Sequence, residues 1–184
     1  MLTRREALAW RAPVVDHRIL ARLVADGDPG LLGASSLTKA LAERLRISSA
    51  AARRRLAEAA ELGPRTAMTG EPLPPLLPEL AAAQAAGQVS PEHMTIARKT
   101  LAKIPTTVPA ADRERAERDL SVLASQFSPE TFQRLADHLV AVLNPDGDYS
   151  DKERLAQRGL RLSRQGIDGM STLTGNASPN AAYA

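Results

Sequence analysis

LAERLRISSAAARRRLAEAAEL, residues 41–62, decides how this chain folds. Leu41, Ala42, Leu45, Ile47, Ala52 and Leu56 recur where two short helices joined by a tight turn would pack against each other. Ser48 stands at the start of the second helix, where its hydroxyl can accept a backbone N–H that the first turn leaves unpaired. Arg53, Arg54 and Arg55 follow in succession. A DNA-reading helix-turn-helix has this outline: a bracing helix, a tight turn and a second helix whose first residues reach the duplex. Two features oppose that reading. Arg46 occupies the turn position often held by glycine, and Ser49-Ala50-Ala51 offers little to hydrogen-bond a base edge. With Ala52, Leu56 and Ala59 buried, Arg54 points away from the core and Arg53 and Arg55 flank it. That geometry suits phosphate contact and equally suits a solvated helix face.

The pattern recurs. Ser48, Ser90 and Ser128 each follow an apolar residue, and Ile47, Val89 and Phe127 stand 42 and 38 residues apart. VSPEHM and FSPETF place proline at the first helical position and glutamate in the first turn, which meets the positive end of the helix dipole. Only five residues are aromatic (Trp10, Phe127, Phe132, Tyr149 and Tyr183), so Leu and Ala, both strong helix formers, must fill the core. The fold class expected is all-α: a degenerate array of helical hairpins, about 6–7 helices, with a small C-terminal β-hairpin. The first helix is expected over 14–25, with Val15, Ile19 and Leu23 buried and Leu20 and Val24 beside them. GDPGLLGASS reads as a loop, and PRTAMTGEPLPPLLPE as a longer one whose prolines form a stiff linker into a helix near Leu76.

Beyond Leu143 the character changes, dividing the chain into a helical unit, 1–143, and a tail, 144–184. NPDGDYSD is a turn, and Ser150 to Glu153 is a capping box opening a short helix. Asp146, Asp148 and Asp151 do not fit the register of a calcium loop. LRLSRQGIDGMSTLTG reads as a β-hairpin, and Ala177 to Asn180 repeats the Ser-Pro helix opening of Ser90 and Ser128 four residues before Ala184.

Charge is unevenly placed. Residues 1–62 carry 11 Lys/Arg against 7 Asp/Glu, while 63–125 carry 7 of each. The positive excess lies with the 41–62 hairpin and permits a polyanionic partner. Without cysteine there is neither a disulfide framework nor a Cys-based zinc site. The charged opening MLTRREALAW is no secretory signal, and the expected compartment is the cytoplasm. His17, His93 and His138 fall on separate helices without a second ligand at metal spacing, and read as surface or packing residues. The carboxylate pairs Glu58/Glu61 and Glu114/Glu117 read as charged faces paired with arginines at helical spacing. No P-loop, Gly-x-Ser-x-Gly or His-Glu-x-x-His is present, so no catalytic residue, metal or cofactor is expected in this chain.

The order of segments, with the NPDG turn and the G-x-DGM hairpin as its most specific marks, resembles the actinobacterial 13E12 repeat family, whose helical region is domain of unknown function 222. The resemblance covers roughly residues 36–180. It implies a helical domain that precedes a C-terminal HNH nuclease module, and a role in positioning or regulating that module on DNA. No HNH ligand can be carried onto this sequence, which reads as the N-terminal helical domain cut at the start of a further helix. The expectation is a noncatalytic accessory domain contacting double-stranded DNA through Arg44, Arg46, Ser48, Ser49, Arg53, Arg54 and Arg55. The alternative is a helical protein-interaction scaffold that docks an HNH module or a sister copy and binds no nucleic acid.

Overall fold

The computed structural model describes residues 1–30, 32–145, 155 and 158–176. Seven α-helices appear among them: α1 (Leu2–Asp26), α2 (Leu37–Leu45), α3 (Ser49–Leu62), α4 (Pro78–Ala86), α5 (Pro91–Lys103), α6 (Ala110–Gln126) and α7 (Pro129–Leu143). Two antiparallel strand pairs accompany them: β1 (Arg65–Thr66) with β2 (Pro72–Leu73), and β3 (Gly159–Leu162) with β4 (Leu173–Asn176). The protein is mainly α, as its Leu/Ala-rich composition dictates.

The three serine junctions join α2 to α3, α4 to α5 and α6 to α7, but by different physics. Ser48 accepts from Ala51 N–H at 3.1 Å, and Ser90 from His93 N–H at 3.3 Å. Ser128 occupies the N-cap position of α7 without accepting any backbone N–H; its hydroxyl reaches Thr131 Oγ1 at 3.5 Å instead. Ser36 provides a further cap, accepting from Lys39 N–H at 3.2 Å. The helices α2 and α3 pack on each other, as do α6 and α7. By contrast α4 packs on α1 and α6, while α5 packs on α6 and α7, so the middle junction opens out and α6 fills the gap. The core lies there: Leu80, Val89, Met94, Ala97, Leu120, Ala124, Phe132 and Ala136 form one buried cluster with Leu62 and Ala83. Phe132 is fully buried, and the His93 ring lies 5.5 Å from it, centroid to centroid.

The first helix departs from expectation in both length and orientation. It runs 25 residues, continuing N-terminally through Pro13. Its buried residues are His17 and Leu20, whereas Val15, Ile19 and Val24 are exposed and Leu23 is half-buried. The reason is close approach through small residues. A Cβ on Gly63 would stand 3.0 Å from the His17 carbonyl oxygen and 3.3 Å from Ala21 Cβ. At the other end, Gly87 takes φ 71°, and a Cβ there would stand 2.6 Å from the Ala7 carbonyl oxygen. Two glycines thus seat both halves of α1, on the face opposite Val15 and Ile19.

The proline-rich segment is also more ordered than a linker. Arg65 pairs with Leu73 and Thr66 with Pro72, with a turn at Ala67–Gly70 closed by Gly70 N–H to Ala67 O at 2.9 Å. Leu77 N–H then donates to Glu61 O at 3.0 Å, tying the segment to the end of α3. The helix that follows starts at Pro78. The C-terminal hairpin forms as expected, in the register Gly159↔Asn176 to Leu162↔Leu173, with Gly169 at φ 74° in its turn. The Ser150–Glu153 capping box and the Ser178-Pro179 helix opening lie outside the described residues.

Candidate nucleic-acid interface

The interface expected from the sequence is the α2–α3 hairpin. Its turn is made by Arg46, which takes φ 53° and ψ 43°. This is the left-handed region that glycine enters freely and a residue with a Cβ enters at a cost of roughly 1–2 kcal/mol. A tight turn between α2 and α3 therefore forms despite the missing glycine. Arg46 and Ile47 N–H groups close the end of α2 by donating to Glu43 O and Ala42 O.

The hairpin sorts its polar residues clearly. Ala52, Ala59 and Leu62 are buried on α3, while Ser49, Ala50, Arg53, Arg54, Ala57 and Ala60 form its exposed stripe. Arg53 and Arg54 thus stand on the first turns of α3 among small neighbours. Arg44 and Arg46 are exposed at the end of α2. Among the described residues, none of these four guanidinium groups forms an ion pair or hydrogen bond. Ser48 is engaged as the cap of α3, leaving its hydroxyl proton free to donate, and Ser49 is exposed beside it.

Arg55 behaves differently from its two neighbours. It is half-buried and pairs with Asp16 of α1 at 3.8 Å. Together with Pro13, His17, Leu20, Arg54 and Glu58 these residues line a cleft of about 130 Å³ between α1 and α3. The His17 imidazole is buried, and no described group hydrogen-bonds its ring. Burial pulls its pKa below the ordinary value, with Arg98 acting in the same direction and Asp16 opposing. Beneath the cleft, Arg98 of α5 donates to Glu58 at 3.1 Å and also to Glu61. The two carboxylates of α3 are thus paired with an arginine from another helix, not with one at helical spacing. Residues 37 and 40 positions away in sequence are invisible to a local charge rule.

Glu117 is a second departure. It is buried on α6 and accepts from Glu79 N–H at 2.9 Å and Leu80 N–H at 3.1 Å. It caps α4 from a neighbouring helix, and desolvation raises its pKa against the lowering effect of those two hydrogen bonds. Glu114, by contrast, is exposed. His93 is also a structural tie: Ser90 Oγ–H donates to its Nδ1 at 2.7 Å, and its Nε2–H donates to Phe127 O at 2.9 Å, linking two serine junctions. His138 is exposed. Among the described residues no group of three or more His, Cys, Asp or Glu could hold a metal ion.

The model for the domain of unknown function DUF222 matches residues 1–184. The chain belongs to the DUF222 family. An uncharacterized protein of Mycobacterium tuberculosis strain H37Rv is 44% identical over 181 residues, covering 98% of this chain and 40% of that protein. An uncharacterized Mycobacterium bovis protein is 38% identical over 178 residues, covering 97% of this chain and 39% of its own length. The DUF222 chain therefore spans about two fifths of the length of these curated relatives. No solved structure matches it. No helix among the described residues is long and apolar enough to cross a membrane.

Proposed function

We propose that this DUF222 domain is a noncatalytic accessory domain of an HNH-endonuclease-like protein, and that it contacts the phosphates of duplex DNA through the α2–α3 hairpin. One observation carries the reading: Arg44, Arg46, Arg53 and Arg54 stand exposed around a left-handed turn and the start of α3 and, among the described residues, have no ion-pair or hydrogen-bond partner. Arg55 belongs to the fold through Asp16 and is not assigned to the interface. The exposed stripe of α3 is otherwise alanine and serine, which supports contact with the backbone and no reading of base edges. Ser48 and Ser49 supply hydroxyl donors at the helix start, where the dipole favours an anion.

The test is fluorescence anisotropy of a labelled duplex at two salt concentrations. Four phosphate contacts predict a salt slope of about −3.6, so that raising salt about fourfold weakens binding about 100-fold. Replacing Arg53 and Arg54 by alanine reduces that slope by about two. Absence of binding by folded protein at low salt overturns the reading. The other reading, a protein-interaction scaffold, is favoured by the C-terminal hairpin, where Leu160, Leu162, Ile167, Met170 and Leu173 are all exposed. Its partners would be an HNH module or a sister copy.

A further inference from the structure

The outer face of α1 carries an ordered pattern that the core does not use. Leu8, Ala12, Val15 and Ile19 recur at intervals of four, three and four residues along α1. The large members are 65%, 59% and 60% exposed, and Ala12 is exposed with them. Advancing 100° per residue, this stripe lies opposite His17 and Leu20, the buried side of the helix. Arg4, Arg11 and Arg18 follow one edge at seven-residue spacing, all exposed and, among the described residues, without an ion pair. The other edge carries Ala9, Asp16 and Leu23, while Arg5 and Arg22 continue the register of the stripe and bound its apolar part at the two ends.

An apolar stripe of two positions per heptad has the width of a coiled-coil seam, narrower than the apolar face by which helices lie in a membrane surface. The charges flanking such a seam choose the partner and its orientation. We propose that the outer face of α1 is a docking seam for an acidic amphipathic helix of a partner protein. That helix carries apolar residues at the a and d positions and Asp or Glu every seventh residue, along the edge that meets Arg4, Arg11 and Arg18. A second copy of the chain fits the charges poorly. Antiparallel α1 helices set the arginine row against itself. Parallel ones set it against Ala9, Asp16 and Leu23, of which Asp16 alone is acidic and is already paired with Arg55 at 3.8 Å.

The probe is a fluorescein-labelled synthetic peptide of about four heptads, with Leu at a and d and Glu at e and g. It is titrated with the full chain beside two controls: the same peptide with Lys for Glu, and a scrambled peptide of equal charge without the apolar period. The Glu peptide alone binds. Val15→Glu with Ile19→Glu weakens it at least about tenfold, because two seam positions are lost. Charge reversal at Arg4, Arg11 and Arg18 to Glu moves binding from the Glu peptide to the Lys peptide. Those three positions are exposed, so this variant keeps the test alive if the Val15/Ile19 variant fails to fold. Arg53→Ala with Arg54→Ala leaves peptide binding unchanged, which separates the seam from the hairpin. Four results overturn the proposal: no binding of the Glu peptide, equal binding of the scrambled peptide, self-association of the chain that Val15→Glu abolishes, or capture by anionic vesicles instead of the Glu peptide.

Discussion

Glu117 holds α4 by its first turn, and its replacement should be the most costly single change outside the aliphatic core. Helix α4 starts with no side-chain cap of its own, since Leu77 occupies the N-cap position. One oxygen of Glu117 accepts from two backbone N–H groups there, at 2.9 and 3.1 Å, with the residue only 4% exposed. Glu117→Ala leaves both donors facing a void. A hydrogen bond to a charged group contributes roughly 1.5–3 kcal/mol, and each buried donor left unpaired costs about 1–3. The ionised carboxylate is itself disfavoured by burial, which offsets part of that, so about 3 kcal/mol is the expected loss. At about 2–4 °C per kcal/mol for a domain of this size, the midpoint falls by about 6–12 °C. Glu117→Gln keeps an acceptor oxygen and should cost about 1 kcal/mol. The two variants also separate with pH. Because the folded-state pKa of Glu117 lies above its usual value of 4.5, the folded protein holds that proton more tightly than the unfolded chain. The stability this contributes is full below 4.5 and is lost as pH rises through the raised pKa. Wild type should therefore gain on Glu117→Gln as pH is lowered through that window. Urea unfolding of the three proteins across pH reads both effects. An alanine cost below about 0.5 kcal/mol, or equal costs for Ala and Gln, would refute the capping role.

Three further outcomes are expected. Arg46→Gly relieves the left-handed backbone strain but loosens the unfolded chain, for a net gain of about 0.5–1 kcal/mol in urea unfolding, while duplex affinity falls; a loss of stability would mean the Arg46 side chain supports the turn. His17 is buried and its pKa lowered by desolvation, so its contribution is present above its usual value of 6.5 and is lost as pH falls through the depressed folded-state pKa; His17→Leu should flatten stability over that range. Thr100 buries a hydroxyl with no hydrogen-bond partner among the described residues, and Thr100→Val should raise stability by about 1 kcal/mol, measured by thermal unfolding.

Short-range chemistry made the serine junctions legible. A cap serine followed by proline and glutamate acts within one turn, so Ser90 starts α5 as read, and the Gly-Ile-Asp-Gly stretch makes its hairpin turn as read. Ser128 shows the limit: the same letters place a helix start, yet the hydroxyl turns to Thr131. The candidate site was legible as a set of residues but not as a set of roles. Arg53, Arg54 and Arg55 are identical in sequence, and Asp16, 39 positions earlier, is what removes Arg55 from the exposed group.

The first helix shows most plainly where sequence stops. Its apolar period is real: the sequence by itself determined a helix over 14–25 with Val15 and Ile19 on one apolar stripe, while the turns before Pro13 that carry Leu8 came only with the structure. Periodicity reports that a helix has two faces; it does not say which one the rest of the chain will cover. That was decided by Gly63 and Gly87, which let α3 and the α4–α5 turn approach the backbone of α1 on the side of His17, Leu20 and Ala21. Close contact between small residues excludes water and keeps many atoms in van der Waals range, so it can outcompete the burial of a few larger side chains. Glu117 and Arg98 make the same point for charge. Sequence gives their valence, but only packing brings Arg98 to the α3 carboxylates and Glu117 to the open end of α4.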